Sequence, residues 1–343
     1  MTPNVHDLLS AEELADVRKR SDLRGIWCVG HAWLVIFGSM AAFIVFPNPA
    51  VWAVGVVLIG ARQLGLAILM HDAAHGVLTN SKRLNEALGQ YFCAWPVITD
   101  LYAYRPYHLT HHRWTQQAND PDLVLSAPFP ITRSSLRRKI IRDLTGQTTF
   151  KQRVAQFRSA FKMKDGTFGQ RLQKGFGRLG GSIAVNLGLF AALVAIGQWH
   201  VFFLLWVVPF FCWFPMITRI RNIAEHAVVP DNDDPFRNAR TTKANLLWRA
   251  AVAPYWVNYH VEHHLLMYVP CYNLPKLHKL LVGKGYGPKM ELQPNYATVL
   301  KMATSKPESA ANNNEEAADA ADSGNNHGAG IAFNITPRAD KRA

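Results

Sequence analysis

The chain has 343 residues, of which 49% are apolar and 18% charged, and it carries a formal net charge of +13. The mean hydropathy of −0.03 would suit a soluble enzyme, but this average hides a separation into long apolar blocks and basic blocks. The four cysteines form no C-x-x-C pair and have no regular spacing, which excludes a cysteine zinc knuckle and a disulfide framework as the organising features.

The first predicted elements are a short amphipathic helix and an apolar hairpin. Ser10 and Glu13 match a capping box, which starts a helix within residues 1–25, and basic residues precede the first apolar run. Basic residues beside a span favour the cytoplasmic side. Residues 26–46 hold no formal charge and are long enough to cross a hydrocarbon core of ~30 Å. After a Pro-Asn-Pro turn, residues 51–70 form the predicted second span.

The second predicted span carries two polar residues and leads to histidines. Arg62 and Gln63 interrupt the apolar run; they either line a substrate path or form a polar pair that neighbouring helices satisfy, and the second interpretation is favoured. The span delivers His71 and His75 to its inner end. Residues 88–104 are apolar but broken by a proline and an aspartate, which favours a helix lying at the membrane interface.

A basic segment separates the two predicted hairpins. Residues 133–178 hold thirteen Lys and Arg against two Asp. Because the segment lies between the two predicted membrane hairpins, we expect it to face anionic lipid in the cytoplasm rather than to bind nucleic acid. Residues 182–197 and 200–217 form the second predicted hairpin, and residues 305–343 have the composition of a disordered tail.

The number of spans determines on which side the histidines lie. Four spans with a cytoplasmic N-terminus put the basic segment, every histidine cluster and the C-terminus in the cytoplasm. The predicted fold is an all-α integral membrane protein, with four transmembrane helices in two hairpins, interfacial helices and a cytoplasmic histidine-rich cap. Residues 26–304 form the membrane domain. The expected location is a bacterial inner membrane.

Eight of the fourteen histidines fall in three tight clusters. Spacings of three and four residues bring side chains to one face of a helix. The clusters are His71 and His75; His108, His111 and His112; and His260, His263 and His264.

Eight imidazoles exceed what one tetrahedral zinc or one facial triad can use, which indicates two metal ions. Dioxygen chemistry at iron is the favoured interpretation. A metal transporter or sensor is the alternative from another class, although its ligands would be expected at mid-membrane.

The three clusters, in this order and with these flanking hairpins, resemble the histidine boxes of the membrane fatty acid desaturase superfamily over residues 26–281. The resemblance implies two iron ions (Fe2+/Fe3+), O2 as co-substrate and the introduction of a double bond into a long-chain fatty acyl group or lipid. The alternative is a hydroxylase or ketolase of a lipid or carotenoid with the same di-iron site. No catalytic residue apart from the metal ligands is implied.

The same resemblance extends to Asn222-Ile-Ala-Glu-His226. It implies that His226 is a ninth ligand and that Asn222 binds metal through a water molecule. Asp72, Glu225 and Glu262 stand beside ligands and are candidates to orient imidazoles from a second shell.

The expected partners follow from the same resemblance. The sequence contains no His-Pro-Gly-Gly haem signature, so electrons are expected from an external ferredoxin or cytochrome b5-like protein with its reductase. An acidic donor would be attracted by the basic inner face. The other expected partners are an acyl lipid substrate and membrane lipids.

Overall fold

The computed structural model describes residues 5–310, and this part of the chain is mainly helical. In chain order the α-helices are α1 Val5–Leu8, α2 Ala11–Val17, α3 Asp22–Val45, α4 Pro49–Ala74, α5 Lys82–Ala87, α6 Leu101–Trp114, α7 Leu123–Ser126, α8 Arg133–Leu144, α9 Gln147–Phe161, α10 Phe168–Ala195, α11 Trp199–Phe202, α12 Phe214–His226, α13 Leu246–Ala251, α14 His260–Leu265, α15 Leu274–Gly283 and α16 Tyr296–Ala303.

Shorter elements connect these helices. The π-helical segments are Leu88–Ala94, Phe203–Val207 and Pro209–Trp213, and the 3-10 turns are Trp95–Val97, Pro254–Trp256, Cys271–Asn273, Gly287–Lys289 and Glu308–Ala310. Two-residue strands β1 Thr241–Thr242 and β2 Leu292–Gln293 form one parallel pair. The all-α prediction did not include this pair, which is too short to build a core of its own.

Within the described residues, four helical stretches are long and apolar enough to cross a membrane: Ala11–Val45, Pro49–Ala74, Phe168–Ala195 and Trp199–His226. The prediction of a helical protein with four candidate spans is confirmed to this extent. The third stretch begins fourteen residues before the apolar run at 182, because the capping box of Thr167 starts the helix within the basic segment. Helix α10 therefore carries both basic and apolar residues.

Helix α4 lies at the centre of the packing and is buried on every side from Ile59 to Ala74. Asn48 caps its start by accepting hydrogen bonds from the backbone N–H groups of the first turn. At Gly65 a Cβ atom would lie 2.5 Å from the ring of Tyr255, so this close approach requires glycine. The histidines at the end of α4 therefore stand on a helix that neighbours hold tightly.

Residues 88–104, predicted as one interfacial helix, form separate elements. The π-helical and 3-10 turns end at Ile98, whose φ of +55° lies in the left-handed region. Asp100 then starts α6 by accepting a hydrogen bond from the N–H of Ala103. The prediction of a single helix was wrong because the aspartate is a helix cap and not a polar interruption.

The basic segment folds into α8, α9 and the start of α10. Asp143 at the end of α8 is fully buried and pairs with Arg219 of α12 at 2.6 Å. This ion pair fastens the segment to the fourth apolar stretch. Of the predicted tail, residues 311–343 lie outside the described part, whereas Glu308 accepts hydrogen bonds from Ser134.

We expect Gly25→Ala to destabilise the protein. A Cβ atom at Gly25 in α3 would lie 2.4 Å from the backbone oxygen of Leu78, and overpacking of this kind costs about 1–3 kcal/mol. Gly30 of the same helix is the matched control, since a Cβ atom there meets nothing within 4 Å. Thermal unfolding of both variants in detergent checks this. Equal midpoints for the two variants would contradict the close contact.

Candidate metal centre

Nine histidines from four helices meet at the end of α4. His71 lies on the last turn of α4 and His75 follows as its C-cap residue. Helix α6 carries the second cluster near its end, α12 ends at His226, and the six-residue α14 carries the third cluster. The histidines of each cluster lie on or directly after a helix end and not on a long loop. The spacing of residues along a helix therefore fixes their relative positions within a cluster.

The nine rings form two groups, and the candidate ligand atoms within each group all lie within 4.8 Å of one another. The first group contains His71, His75, His108, His112 and His263, and the second contains His111, His226, His260 and His264. Helices α6 and α14 contribute to both groups. The histidine clusters of the sequence therefore do not correspond to the two groups, because each H-x-x-H-H motif contributes histidines to both groups.

Some ring nitrogens have more close neighbours than hydrogen bonding can satisfy. Nε2 of His108 lies 2.9 Å from Nε2 of His75 and 2.9 Å from Nε2 of His112. In the second group, Nε2 of His260 lies 2.8 Å from Nε2 of His226. A neutral imidazole nitrogen has one hydrogen or one lone pair, so His108 cannot form a full hydrogen bond with both neighbours. A cation that takes a lone pair from every ring fits this donor set.

The outer nitrogens of some rings have partners of their own. Nδ1 of His111 lies 2.8 Å from Oδ1 of the buried Asp120. Nδ1 of His226 lies 3.3 Å from the backbone oxygen of Asn238. A hydrogen bond at the outer nitrogen fixes the tautomer and turns the other nitrogen toward a metal.

Burial keeps most of these rings neutral, which metal binding requires. Burial, together with the neighbouring rings, lowers the pKa well below its ordinary value for His108, His112, His260, His263 and His264. His111 differs: burial alone would lower its pKa, but the hydrogen bond to Asp120 and the charges of Asp122, Asp120 and Glu225 together outweigh burial and raise the pKa. Asp120 therefore has the strongest polar influence on this ring.

Glu225 and Asn222 lie beside the second group. The Glu225 carboxylate forms two hydrogen bonds of 2.5 Å with the Arg221 guanidinium, and its other contact is Nε2 of His260 at 3.5 Å. Asn222 and Glu225 both line a small cavity beside this group, with a volume of about 20 Å³. This volume holds about one water molecule.

The other two acids predicted to support ligands have different surroundings. Oδ1 of Asp72 lies 3.4 Å from Nδ1 of His71. Glu262 is fully buried, but it accepts hydrogen bonds from Thr241 at 2.5 Å and from His278. In the described part of the chain, Glu262 therefore contacts a histidine outside the two groups.

Asp120 and Thr115 were missed by the reasoning from sequence. Oγ1 of Thr115 lies 3.2 Å from Nδ1 of His264. The sequence does carry a signal for Asp120: two aspartates flank a proline nine residues after His111, a composition that by itself predicts only a loop. An acid close in sequence to a predicted ligand deserves to be treated as a possible hydrogen-bond acceptor for that ligand.

Residues 47–291 match the family model described as fatty acid desaturase, which is more than half of the chain. The chain belongs to the fatty acid desaturase family. The resemblance seen in the histidine clusters is thereby confirmed, and the chain is an oxidoreductase, as predicted. Together with the four apolar helical stretches, the family identifies an integral membrane protein.

Relatives in this family carry different names. Dihydrorhizobitoxine desaturase of Bradyrhizobium elkanii is 28% identical over 247 residues, covering 67% of each chain. The sn-1 oleoyl-lipid 12-desaturase of Picosynechococcus sp. is 24% identical, covering 64% of this chain and 65% of that protein. The beta-carotene ketolase of Paracoccus sp. is 24% identical, covering 74% of this chain and 88% of that protein. The chain thus spans about two thirds of the length of the two desaturases.

We expect Asp120→Asn to weaken metal retention by this desaturase family member. Asparagine keeps an acceptor for His111 but removes the charge, and loss of such outer partners typically weakens binding by roughly tenfold or more. Metal retained after dialysis against a chelator, measured by elemental analysis, checks this. Asp231→Asn, in an exposed loop, is the matched control. Equal retention in both variants would show that the Asp120 charge has no role.

Proposed function

We propose that the protein is a membrane-bound, O2-dependent di-iron desaturase that introduces a double bond into a long-chain fatty acyl group or lipid. The observation that carries this proposal is the convergence of nine histidines into a group of five and a group of four. Imidazole suits iron, zinc, copper and nickel, and membership of the desaturase family favours iron.

In this proposal each group of histidines holds one iron ion. The nine rings are the direct ligands, and Asn222 is a further ligand through a water molecule, which the cavity of about 20 Å³ beside it supports. When bound, an iron pair with Fe2+ and Fe3+ as its oxidation states would supply the dioxygen chemistry that removes hydrogen from an unactivated carbon. The protein holds the rings neutral and in place.

The acidic residues position the ligands and their helices. Asp72 and Asp120 accept from the outer nitrogens of His71 and His111, which leaves the inner nitrogens for metal. Glu225 is held by its ion pair with Arg221, and its carboxylate, 3.5 Å from Nε2 of His260, helps to orient that ring. For Glu262 we propose an indirect role, in which its hydrogen bonds to residues outside the two groups fix the position of α14.

The proposed topology has two membrane hairpins, α3 with α4 and α10 with the stretch Trp199–His226. The metal centre, the basic helices α8 and α9 and both termini would then lie on the cytoplasmic side of a bacterial inner membrane. The excess of Lys and Arg in residues 133–178 supports this orientation. Electrons would come from a separate ferredoxin or cytochrome b5-like protein with its reductase, drawn to this basic face.

A hydroxylase or ketolase of a lipid or carotenoid is the second candidate. It is favoured by the beta-carotene ketolase of Paracoccus sp., 88% of whose length is covered by the alignment. The same ligand set would serve either reaction, and no single residue of this chain separates loss of a second hydrogen from addition of oxygen.

Product analysis decides between the two candidates. We expect cells that express the protein to accumulate a lipid lighter than its precursor by two hydrogens, measured by mass spectrometry of total lipid extracts. Cells that express His263→Ala provide the background. A product that instead gains oxygen would support the hydroxylase or ketolase and contradict desaturation.

Metal content tests the centre itself. We expect close to two irons per chain in protein purified in detergent, coupled as a pair in Mössbauer spectra. His111→Ala should lower the iron content and abolish turnover, because it removes a ligand of the second group, while the apolar stretches still insert. His200→Ala, outside both groups, is the control. Zinc alone in protein made with ample iron would overturn the di-iron proposal.

A further inference from the structure

A second cavity, of about 390 Å³, lies between α3, α4 and the segment from α13 to Trp256. The side chains of Arg62, His31 and Tyr255 adjoin one another on its wall and form a polar end. Apart from Arg249, the other side chains on the wall are apolar. Along α4 the cavity is nine residues from His71, about 13 Å at 1.5 Å per residue. It is therefore distinct from the metal centre but shares α4 with it.

Arg62 is buried, with 7% of its surface exposed, and has no acidic partner among the described residues. Nη2 donates to the backbone oxygen of Ala250 at 2.9 Å, and the guanidinium lies 5.4 Å from the Tyr255 ring centroid. Nε is buried without a hydrogen-bond partner. A charged group inside a membrane protein is costly and is normally paired, so Arg62 lacks an anion.

A role of Arg62 in capping the end of α13 explains only part of its surroundings. The oxygen of Ala250 is near the C-terminus of α13, where a cation is favoured by the helix dipole. That contact uses a single nitrogen of Arg62, Nη2. It does not explain a second guanidinium on the wall, that of Arg249, which lies 5.2 Å from the Trp256 ring centroid.

The wall of the cavity is also strained. Tyr255 and Trp256 have φ values of 50° and 58°, in the left-handed region that bulky residues avoid. Nδ1 of His31 lies 3.0 Å from the Tyr255 hydroxyl, which holds this ring beside Arg62. Strain that neighbours maintain is often found at binding sites. The third histidine cluster begins four residues after Trp256, so the strained segment connects the cavity to the metal centre.

The mouth of the cavity is apolar. Trp27 exposes 65% of its surface and Leu246 exposes 80%, and both line the cavity. An occupant with a long apolar part can therefore enter from the lipid. Its polar end must be anionic, because the polar end of the cavity presents cations and hydrogen-bond donors.

We infer that this cavity binds the carboxylate end of a long-chain amphiphile, with Arg62 as its charge partner. The identification of this amphiphile as the substrate rests on the proposed function, whereas the binding itself does not. The contact between Arg62 and the carboxylate would then fix where such an amphiphile lies along α4.

Quenching of tryptophan fluorescence tests the inference on the metal-loaded protein, because Trp27 and Trp256 line the cavity. The probes are a long-chain carboxylic acid brominated on its chain, its methyl ester and an alkyl phosphate with the same chain. We expect the acid to bind roughly ten- to a hundredfold more tightly than the ester, as for a hydrogen bond to a charged group. The ester also reports partition into the detergent.

Variants at position 62 separate the effect of the Arg62 charge on binding from an effect on folding. R62Q should reduce binding of the acid to the level of the ester, and R62K should retain part of the preference because it keeps the charge. Gln63→Leu is the matched control, because Gln63 is the adjacent buried polar residue of α4 and donates to the backbone oxygen of Trp206 instead. It should leave the preference unchanged.

Leu58→Phe gives a test that leaves Arg62 intact and stands even where R62Q fails to fold. Leu58 lines the cavity one turn before Arg62, so a larger side chain should weaken the acid and the ester alike. Equal affinity of the wild-type protein for acid and ester would overturn the inference. Tighter binding of the phosphate than of the carboxylate would also overturn it, in favour of a phospholipid headgroup.

The inference and the proposed function can fail separately. A preference for the acid that depends on Arg62, together with an oxygenated product in cells, would keep the carboxylate site and reject desaturation. An alkene product together with equal binding of acid and ester would keep desaturation and reject the site.

Discussion

The structure depends on bringing nine imidazoles to within a few ångströms of one another inside the protein. Burial disfavours the charged form of each ring, and Nε2 of His108 has two nitrogen neighbours at 2.9 Å, of which it can bond fully to only one. Such a set of polar groups costs free energy unless a cation takes the lone pairs. The helices α4, α6, α12 and α14 must therefore be held in place by contacts elsewhere, and the packing around α4 provides them.

Helix α4 connects the features of the molecule that matter most for function. Its last turn supplies ligands to the first group, its middle carries Arg62 at the wall of the second cavity, and Gly65 admits the Tyr255 ring between these two points. Because Tyr255 contacts α4 and also belongs to the chain segment before α14, one close contact relates the cavity to the third histidine cluster. A change at this contact would alter both sites together.

Much of the fold and of the candidate site followed from local rules. The apolar runs predicted four candidate spans, and three- and four-residue spacings predicted which histidines share a helix face. The division into groups of five and four did not follow, because it depends on how α6 and α14 cross in space. Asp120 was overlooked for the same reason. The sequence after α6 shows that a turn follows the helix, but it does not show that this turn brings Asp120 back to the ring of His111. Arg62 and Gln63 do bond to neighbouring segments, at the backbone oxygens of Ala250 and Trp206, but the sequence cannot show that Nε of Arg62 is buried without a hydrogen-bond partner.

The sharing of α6 and α14 between the two groups has a mechanical consequence. His111 lies between His108 and His112 in sequence, yet it faces the other group, so a rotation of α6 cannot improve the geometry of one group without changing the other. The same holds for α14, where His263 lies between two members of the second group. The two groups are therefore linked geometrically through α6 and α14, and any residue that sets the rotation of α6 influences both. Asp120 is placed to do this, since it accepts from His111 and also from the backbone N–H of Gln116, two residues beyond the end of α6.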